Sequence, residues 1–334
     1  MTEDELIAAI QERLAGVTRE RLLVGIGDDA AVWQPSRSNR SVITTDALVE
    51  GVHFTRAAMS AAEVGHRALA ANLSDVAAMG ARPVLATIAL GLPPETDPAW
   101  VLACYDGIAA LAARARCAIA GGDITRAPAV TLALTVVGEV RPSNLKTRAG
   151  ARPGDVVAVT GPLGASRAGL LAALGRLDAP AASDPSPAPA GRDALAEVLA
   201  AYRTPEPRLA EGRWLGASRH VRAMMDSSDG LSTDLARLCA ASGAGATIET
   251  LPVHPGARLV AERLGEDPER YALDGGEDFE LIATLDKRAF PHLAHRFRLR
   301  FGRELAAVGT ITAEPGLRRG DGRPVEPGGW DHLR

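Results

Sequence analysis

The sequence predicts an α+β protein of two domains, and three observations carry that prediction. The chain has 334 residues, more than one average domain and suited to two. Helical and strand-like patterns mix in both halves without the strict alternation that builds a doubly wound sheet. Between the halves a polar stretch, Arg141 to Gly154, carries Pro142 and Pro153 and interrupts the pattern. The expected domains are therefore residues 1–148 and 149–334.

The N-terminal half opens with a capping box, Thr2-Glu3-Asp4-Glu5, ahead of Leu6, Ile7, Ile10 and Leu14, which predicts a helix. Ala30 to Trp33 and Ser41 to Thr45 read as strands. A second box, Ser60-Ala61-Ala62-Glu63, starts a long helix to Met79, with Gly80 as its C-cap. Pro83 to Gly91 is a strand. Asp97-Pro98 starts a helix to about Arg114. Cys117 to Ala120 and Ala129 to Val140 are strands. In the second half the strands are Val156 to Thr160, Val221 to Met225, Thr247 to Thr250, Phe279 to Thr284 and Glu304 to Ile311. The helices are Ala165 to Leu174, Asp193 to Tyr202 and Leu231 to Ala240. Asp178 to Gly191, rich in Pro, Ala and Ser, reads as a surface insertion.

Composition narrows the function classes. Apolar residues make up 46% and charged residues 23%, ordinary usage for a soluble globular chain. A net charge of −4 argues against a nucleic-acid surface. Cys104, Cys117 and Cys239 form no CxxC, which argues against a disulfide framework or a thiolate zinc site and for a reducing cytosol. The acidic N-terminus does not read as a signal peptide. The longest apolar stretch, Val84 to Leu92, is far too short for a membrane span.

Chemistry concentrates where aspartate stands beside glycine or a hydroxyl. Gly27-Asp28-Asp29 precedes a predicted strand. Thr44-Thr45-Asp46 and Gly121-Gly122-Asp123 end predicted strands. Asn72-Leu73-Ser74-Asp75 lies on the long helix. Asp226-Ser227-Ser228-Asp229-Gly230 joins a strand to a helix, and Asp274-Gly275-Gly276-Glu277-Asp278 precedes a strand. One aspartate in a turn is ordinarily structural. Six such places, with paired carboxylates, point to cations. Hard oxygen donors suit Mg²⁺, which shares its shell with phosphates. There is no P-loop, no protein-kinase motif set, no HExxH and no GxSxG. Only two lysines occur, Lys146 and Lys287, so phosphate charge falls to metal ions and arginine. The residues alone thus lead to a Mg²⁺-dependent enzyme acting on phosphates.

Six motifs in order, GIGDDAAV (25–32), TTDALVEGVHF (44–54), NLSDVAAMGARP (72–83), GGDITR (121–126), SSDGL (227–231) and GGEDFEL (275–281), resemble those of the thiamine-monophosphate kinases. That family belongs with aminoimidazole ribonucleotide synthetase, selenophosphate synthetase and a hydrogenase-maturation dehydratase. The resemblance covers nearly the whole chain. It implies an aminoimidazole ribonucleotide synthetase-like fold whose N-terminal domain binds ATP and Mg²⁺ and dimerises by joining sheets, followed by a C-terminal α+β domain. It implies transfer of phosphate from ATP to thiamine monophosphate, the final step to thiamine diphosphate, by a cytoplasmic homodimer without nucleic acid or membrane. By the same resemblance Asp29, Thr44, Thr45, Asp46, Asp75 and Asp123 match metal ligands, joined by Asp226 and Asp229 of the C-terminal domain. Tyr105, Gly122, Asp123, Arg148 and Ser228 match ATP contacts. His53, Glu277 and Trp330 match substrate contacts. No residue reads as a general base.

Rival readings stay in view. Selenophosphate synthetases carry a reactive Cys or selenocysteine and a Lys near the N-terminus, and Met1 to Gly25 has neither. The hydrogenase-maturation protein ends in a reactive Cys; this chain ends Trp330-Asp331-His332-Leu333-Arg334. Aminoimidazole ribonucleotide synthetase has motifs that differ from TTDALVEGVHF and GGEDFEL. A non-catalytic Mg-nucleotide-binding regulator is the rival from another class, and retention of both Asp clusters argues against it. The expected dimer joins at the sheet edges of the apolar strands Pro83 to Leu92 and Ala129 to Val137, which would otherwise invite pairing.

Overall fold

The computed structural model describes residues 2–17, 21–26, 30–177 and 189–330. The chain divides into two compact units, Met1–Val76 with Ala81–Ser143, and Ala77–Gly80 with Asn144–Arg334.

In the first unit, helix α1 (Glu3–Leu14) carries the expected capping box, with the Thr2 hydroxyl and the Glu5 carboxylate closing both bonds. Strands β1 (Leu22–Val24) and β2 (Val32–Trp33) pair with each other. Strand β3 (Arg40–Val49) leads into helix α2 (Ala61–Ala78). Strand β4 (Arg82–Leu92), helix α3 (Pro98–Ala115), strand β5 (Ala118–Arg126) and strand β6 (Thr131–Val140) follow. The order in the sheet is β3-β6-β4-β5, antiparallel except for the parallel β4/β5 pair.

Two expectations change here. Strand β3 runs on to Val49 and β5 to Arg126, so Thr44-Thr45-Asp46 and Gly121-Gly122-Asp123 are strand interiors rather than strand ends. The glycine pair had suggested a turn. Gly122 is instead required inside the ladder, because a Cβ there would stand 2.0 Å from the Ile88 carbonyl oxygen. The second change concerns edges. Strands β4 and β6 are paired on both sides, so the unpaired edges belong to β3 and β5.

Alternation gives this sheet two unlike faces. Leu132, Leu134, Val136, Ala86, Ile88 and Leu90 are buried on one face. The other presents rows of small residues: Thr45, Thr135 and Thr87 in one row, Ala47, Ala133 and Ala89 in the next. Ile43, on the same face of β3, is 69% exposed.

The second unit holds a seven-stranded mixed sheet in the order β13-β12-β9-β11-β7-β10-β8. In chain order the elements are β7 (Val156–Val159), α4 (Ala165–Ala173), α5 (Pro189–Arg203), α6 (Leu209–Gly216), β8 (Val221–Asp226), α7 (Leu231–Ser242), β9 (Gly245–Ile248), α8 (Pro255–Leu264), α9 (Pro268–Asp274), β10 (Leu281–Leu285), α10 (Phe290–Phe301), β11 (Ala306–Thr312), β12 (Gly316–Arg319) and β13 (Pro324–Val325). This sheet is covered on both faces. Val157, Val159, Met225 and Ile282 pack with Leu231, Leu235 and Leu238 of α7. Ala158, Met224, Leu281 and Ala283 pack with Leu215 of α6 and Leu293 and Phe297 of α10. Of the expected insertion, residues 178–188 lie outside the described set, and its end is instead the start of α5 at Pro189.

Each unit contains a buried glutamate braced by two arginines. Glu139 on β6 takes Arg21 and Arg82, both at 2.8 Å, and the Ser36 N–H at 2.9 Å. Burial pushes its pKa up, but the hydrogen bonds from Arg21, Ser36 and Asn39 outweigh that and hold it below the usual range. Glu280, just before β10, takes Arg208 at 2.8 Å, Arg303 at 2.5 Å and the Thr160 hydroxyl at 2.6 Å.

Candidate functional site

Strand β3 delivers the first group of candidates. The Thr44 hydroxyl donates to the Asp75 carboxylate of α2 at 2.5 Å, so Thr44 faces the helix side of the sheet. Asp46, two residues on, shares that face by alternation. Its register row runs through Leu134 and Ile88 to Gly122. Thr45 faces the other way: its hydroxyl donates to the Leu134 carbonyl at 2.9 Å and pairs with Thr135 at 3.2 Å. Asp123 is in register with Ala89, and Ala89 with Ala133, so Asp123 lies on the Thr45 face. The strand period thus separates the unit's candidate ligands into Thr44, Asp46 and Asp75 on one side and Thr45 and Asp123 on the other.

His53 sits in the turn after β3. Its Nδ1 accepts the Val49 N–H at 3.1 Å, so in the neutral ring the proton is on Nε2. Tyr105, on α3, is buried at 5% exposure, and burial pushes its hydroxyl pKa up. Asp29 and its neighbour Asp28 lie outside the described residues. Among the described residues no three His, Cys, Asp or Glu side chains converge as a metal cluster.

The second unit gathers its candidates from three loops far apart in sequence. Strand β8 ends at Asp226, which is 3% exposed. The next residues are cross-linked by backbone to residues 277–280: Ser227 N–H to the Glu280 carbonyl at 2.7 Å, Glu277 N–H to the Ser228 carbonyl at 2.7 Å, and Phe279 N–H to the Ser227 carbonyl at 3.0 Å. Reaching these partners puts Glu277 at φ 64° and Phe279 at φ 50°, both left-handed, a conformation that costs about 1–2 kcal/mol for a residue with a Cβ. The C-terminal segment joins them. The Trp330 N–H donates to the Asp229 carbonyl at 3.1 Å, and Gly329 passes so close that a Cβ would stand 1.8 Å from that same oxygen. Ser228, Asp229, Glu277 and Trp330 are thereby brought together, and the indole is 54% exposed.

Arg148 is exposed. Its carbonyl accepts from the Ser242 hydroxyl at 3.0 Å, and the preceding Thr147 carbonyl accepts from Met224 on β8 at 2.9 Å, so its backbone runs beside the strand that ends in Asp226. Asp278, beside Glu277, turns away to the start of α4, accepting the N–H groups of Gly164 at 2.6 Å and Ser166 at 3.0 Å. Burial pushes its pKa up to about 7.

Sequence reasoning missed Asp234. This α7 residue is fully buried, and its Oδ2 accepts the N–H groups of both Ser228 and Asp229 at 3.0 Å. Burial pushes its pKa up to about 6. A signal was present: Asp234 lies three residues after Leu231 and four before Leu238, so a carboxylate interrupts the apolar stripe of an amphipathic helix. The donors held in both units are carboxylate and hydroxyl oxygens, which fit a hard divalent ion such as Mg²⁺ and not a soft one.

The architecture is that of an α+β class built from two unlike domains, with hard oxygen donors in each. The models of the AIR synthase related protein match it in order, the N-terminal domain over residues 27–140 and the C-terminal domain over residues 152–321. The thiamine-monophosphate kinase of Synechococcus elongatus is 38% identical over 294 residues, spanning 86% of this chain and 84% of that protein. The crystal structure of the thiamine-monophosphate kinase of Stenotrophomonas maltophilia has a TM-score of 0.82 at 34% identity, covering 97% of this chain and 98% of that one. AaThiL complexed with AMPPCP and TMP has a TM-score of 0.77 at 31% identity, covering 99% and 96%. The chain belongs to the thiamine-monophosphate kinase family within the AIR synthase related proteins.

Proposed function

We propose that the chain transfers the γ-phosphoryl group of ATP directly to thiamine monophosphate, giving ADP and thiamine diphosphate. The observation that carries the reading is the convergence of residues 226–230, 275–280 and 328–330. It sets carboxylates for a metal-nucleotide beside an exposed indole and a strained glutamate suited to an organic cation. The motif order and the ligands of AaThiL supply the rest.

In this reading Asp226 and Asp229 hold metal from the second unit, and Ser228 contacts ATP. Asp29, Thr44, Asp46 and Asp75 hold metal from the first. Bound Mg²⁺ would supply charge neutralisation between two anions and in-line orientation. Gly122 lets nucleotide approach the sheet, Arg148 meets phosphate, and Tyr105, buried on α3, braces the nucleotide pocket from behind. His53 donates from Nε2 to the substrate, Glu277 pairs with its cationic ring system, and Trp330 stacks on it. The acceptor phosphate has a second pKa near ~6 and is largely dianionic at neutral pH, so no general base is required.

Thr45 and Asp123 share the open face of the four-stranded sheet. We assign that face, with its small side chains and exposed Ile43, to a homodimer contact in which both residues reach metal at the interface between copies. Among the described residues no helix is long and apolar enough to cross a membrane. The reading places the enzyme in the cytoplasm, with no nucleic-acid partner.

The test is turnover of Mg-ATP with thiamine monophosphate against free thiamine. Thiamine presents an alcohol that needs a base, and none is provided. Turnover of the monophosphate alone is expected; comparable turnover of thiamine overturns the reading. Sedimentation that finds only monomer at micromolar concentration removes the dimer.

A further inference from the structure

The loop that carries Ser228 and Asp229 is held from behind by two residues of α7. Asp234 uses one carboxylate oxygen, Oδ2, for the N–H groups of Ser228 and Asp229. Its other oxygen accepts Nη1 of Arg237 at 3.1 Å, and that same Nη1 also lies against Oδ2 of Asp229. One guanidinium nitrogen therefore bridges two carboxylates, one fully buried and one on the loop. Arg237 itself is 44% exposed at its side chain, so it is free to swing.

We propose that Arg237 is a stand-in cation for Asp229. Without a bound ion it neutralises the Asp229 carboxylate; on ion binding it leaves Asp229 and remains on Asp234 alone. This rests on the reading of Asp229 as a metal ligand. The physical reason is that a guanidinium and a divalent cation on the same carboxylate repel each other, so Asp229 holds an ion more tightly once Arg237 has moved to Asp234 alone. Asp234 is then a positioning residue with two tasks. It fixes the loop backbone through one oxygen and parks the displaced arginine on the other.

The experiment is Mn²⁺ binding to the full nucleotide-free chain, read by the loss of the free-ion paramagnetic resonance signal, with Mg²⁺ as competitor. Mn²⁺ takes the same oxygen donors. Arg237→Gln removes the competitor and is expected to tighten binding about 2- to 5-fold, the scale of a partly exposed ion pair. Asp234→Asn leaves Arg237 with no second carboxylate and is expected to weaken binding. In the Arg237→Gln background the same Asp234→Asn change is expected to have little further effect. Equal or weaker binding by Arg237→Gln overturns the proposal, and this exposed position decides the matter even if Asp234→Asn fails to fold. An undiminished Asp234→Asn effect in the double variant also overturns it, because Asp234 then acts on the loop backbone alone. Asp229→Asn separates the underlying reading: unchanged Mn²⁺ binding there shows that Asp229 is no ligand and takes the proposal with it. Weakened binding there with an unresponsive Arg237→Gln removes the stand-in only.

Discussion

The two units place their candidate residues by opposite means. In the first, three of the candidates are consecutive residues of one strand, and the ladder fixes each of them. Ten residues of β3 are paired one-to-one with β6, so Thr44 and Thr45 point to opposite faces whatever their side chains would prefer. In the second, residues about a hundred positions apart meet because loop backbones bond to one another, as when Trp330 donates to Asp229. A strand separates neighbours in sequence, and crossed loops join strangers. The first arrangement therefore resists drift and the second is adjustable.

The largest test is whether both kinds of placement serve one metal-dependent reaction. Asp46→Asn and Asp229→Asn each keep the side-chain shape but remove the charge. Each is expected to lower kcat/KM by at least ~100-fold, with circular dichroism and melting unchanged. If these aspartates only shape the backbone, Asn replaces them almost silently. Near-normal turnover in Asp229→Asn alone would break the comparison and leave the chemistry to the strand.

The next test concerns rigidity. Gly122→Ala puts a methyl 2.0 Å from the Ile88 carbonyl inside a ladder that cannot part, and Gly329→Ala puts one 1.8 Å from the Asp229 carbonyl at a segment near the chain's end. The first is expected to destabilise the protein by several kcal/mol, on the scale of a badly overpacked core, ~3 kcal/mol. The second is expected to detach the Trp330 segment, raising KM for thiamine monophosphate with little loss of stability. Melting curves and steady-state kinetics on both variants check the contrast. A stability loss in Gly329→Ala as large as in Gly122→Ala would show the loop site to be as rigid as the strand site.

The braced glutamates allow a finer comparison. Glu139→Gln and Glu280→Gln each strip the charge from beneath two arginines. Arg208, at 15% exposure, is better shielded than Arg82 at 38%. Loss at Glu280 is therefore expected to be the larger, about 3 kcal/mol against about 2 kcal/mol, below the full figure for a buried pair because water reaches the arginines. Chemical denaturation measures both.

How far the sequence spoke differs between the units in the same way. Capping boxes announced α1 and α2 because capping is local chemistry, and the long helix ends at Ala78, just ahead of Gly80. The strand interiors were misread because Gly121-Gly122 looks like a turn until the Ile88 carbonyl is seen against it; that contact comes from another strand. The opposite faces of Thr44 and Thr45 follow from alternation within the expected strand, but the face of Asp46 follows only once β3 is known to continue past it. Helix α10 escaped notice because its exposed face, with Arg296, Arg298 and Arg300, obscures the apolar spacing of Leu293 and Phe297. Helices α8 and α9 escaped notice too, although His254-Pro255 and Asp267-Pro268 each offered a cap followed by proline. In the candidate site, motif order singled out Asp229 and Glu277 one by one, and Trp330 only by its place near the chain's end. Their meeting was not legible, since backbone hydrogen bonds between distant loops leave no spacing rule in the chain.

The smallest effect is a pH dependence between pH 8 and 6.5 that the second unit should show and the first should not. Asp278 has its pKa pushed up to about 7 by burial, against 3.8 for an ordinary aspartate. A raised carboxyl pKa means that the folded state binds the extra proton, so its stabilising share is complete below the unfolded value and is lost as pH rises through about 7. Between pH 8 and 6.5 this group adds roughly 0.8 kcal/mol by linkage, with Asp234 adding in the same direction. Below about 6.5 His254 works against it, because burial holds that imidazole below its usual pKa and the unfolded chain takes the proton first. Glu139 in the first unit is shifted down, so its contribution is constant throughout this range and fades only in acid. Hydrogen exchange read by mass spectrometry on peptides from β10 and from β6 follows the two units separately. Protection of β10 is expected to rise from pH 8 to 6.5, after correction for the intrinsic exchange rate, while β6 stays level. Asp278→Asn keeps an acceptor oxygen for only one of the Gly164 and Ser166 N–H groups and has no proton to take up, so it should lower β10 protection at every pH and flatten most of its pH response. A β10 response undiminished in that variant would assign the proton to another group.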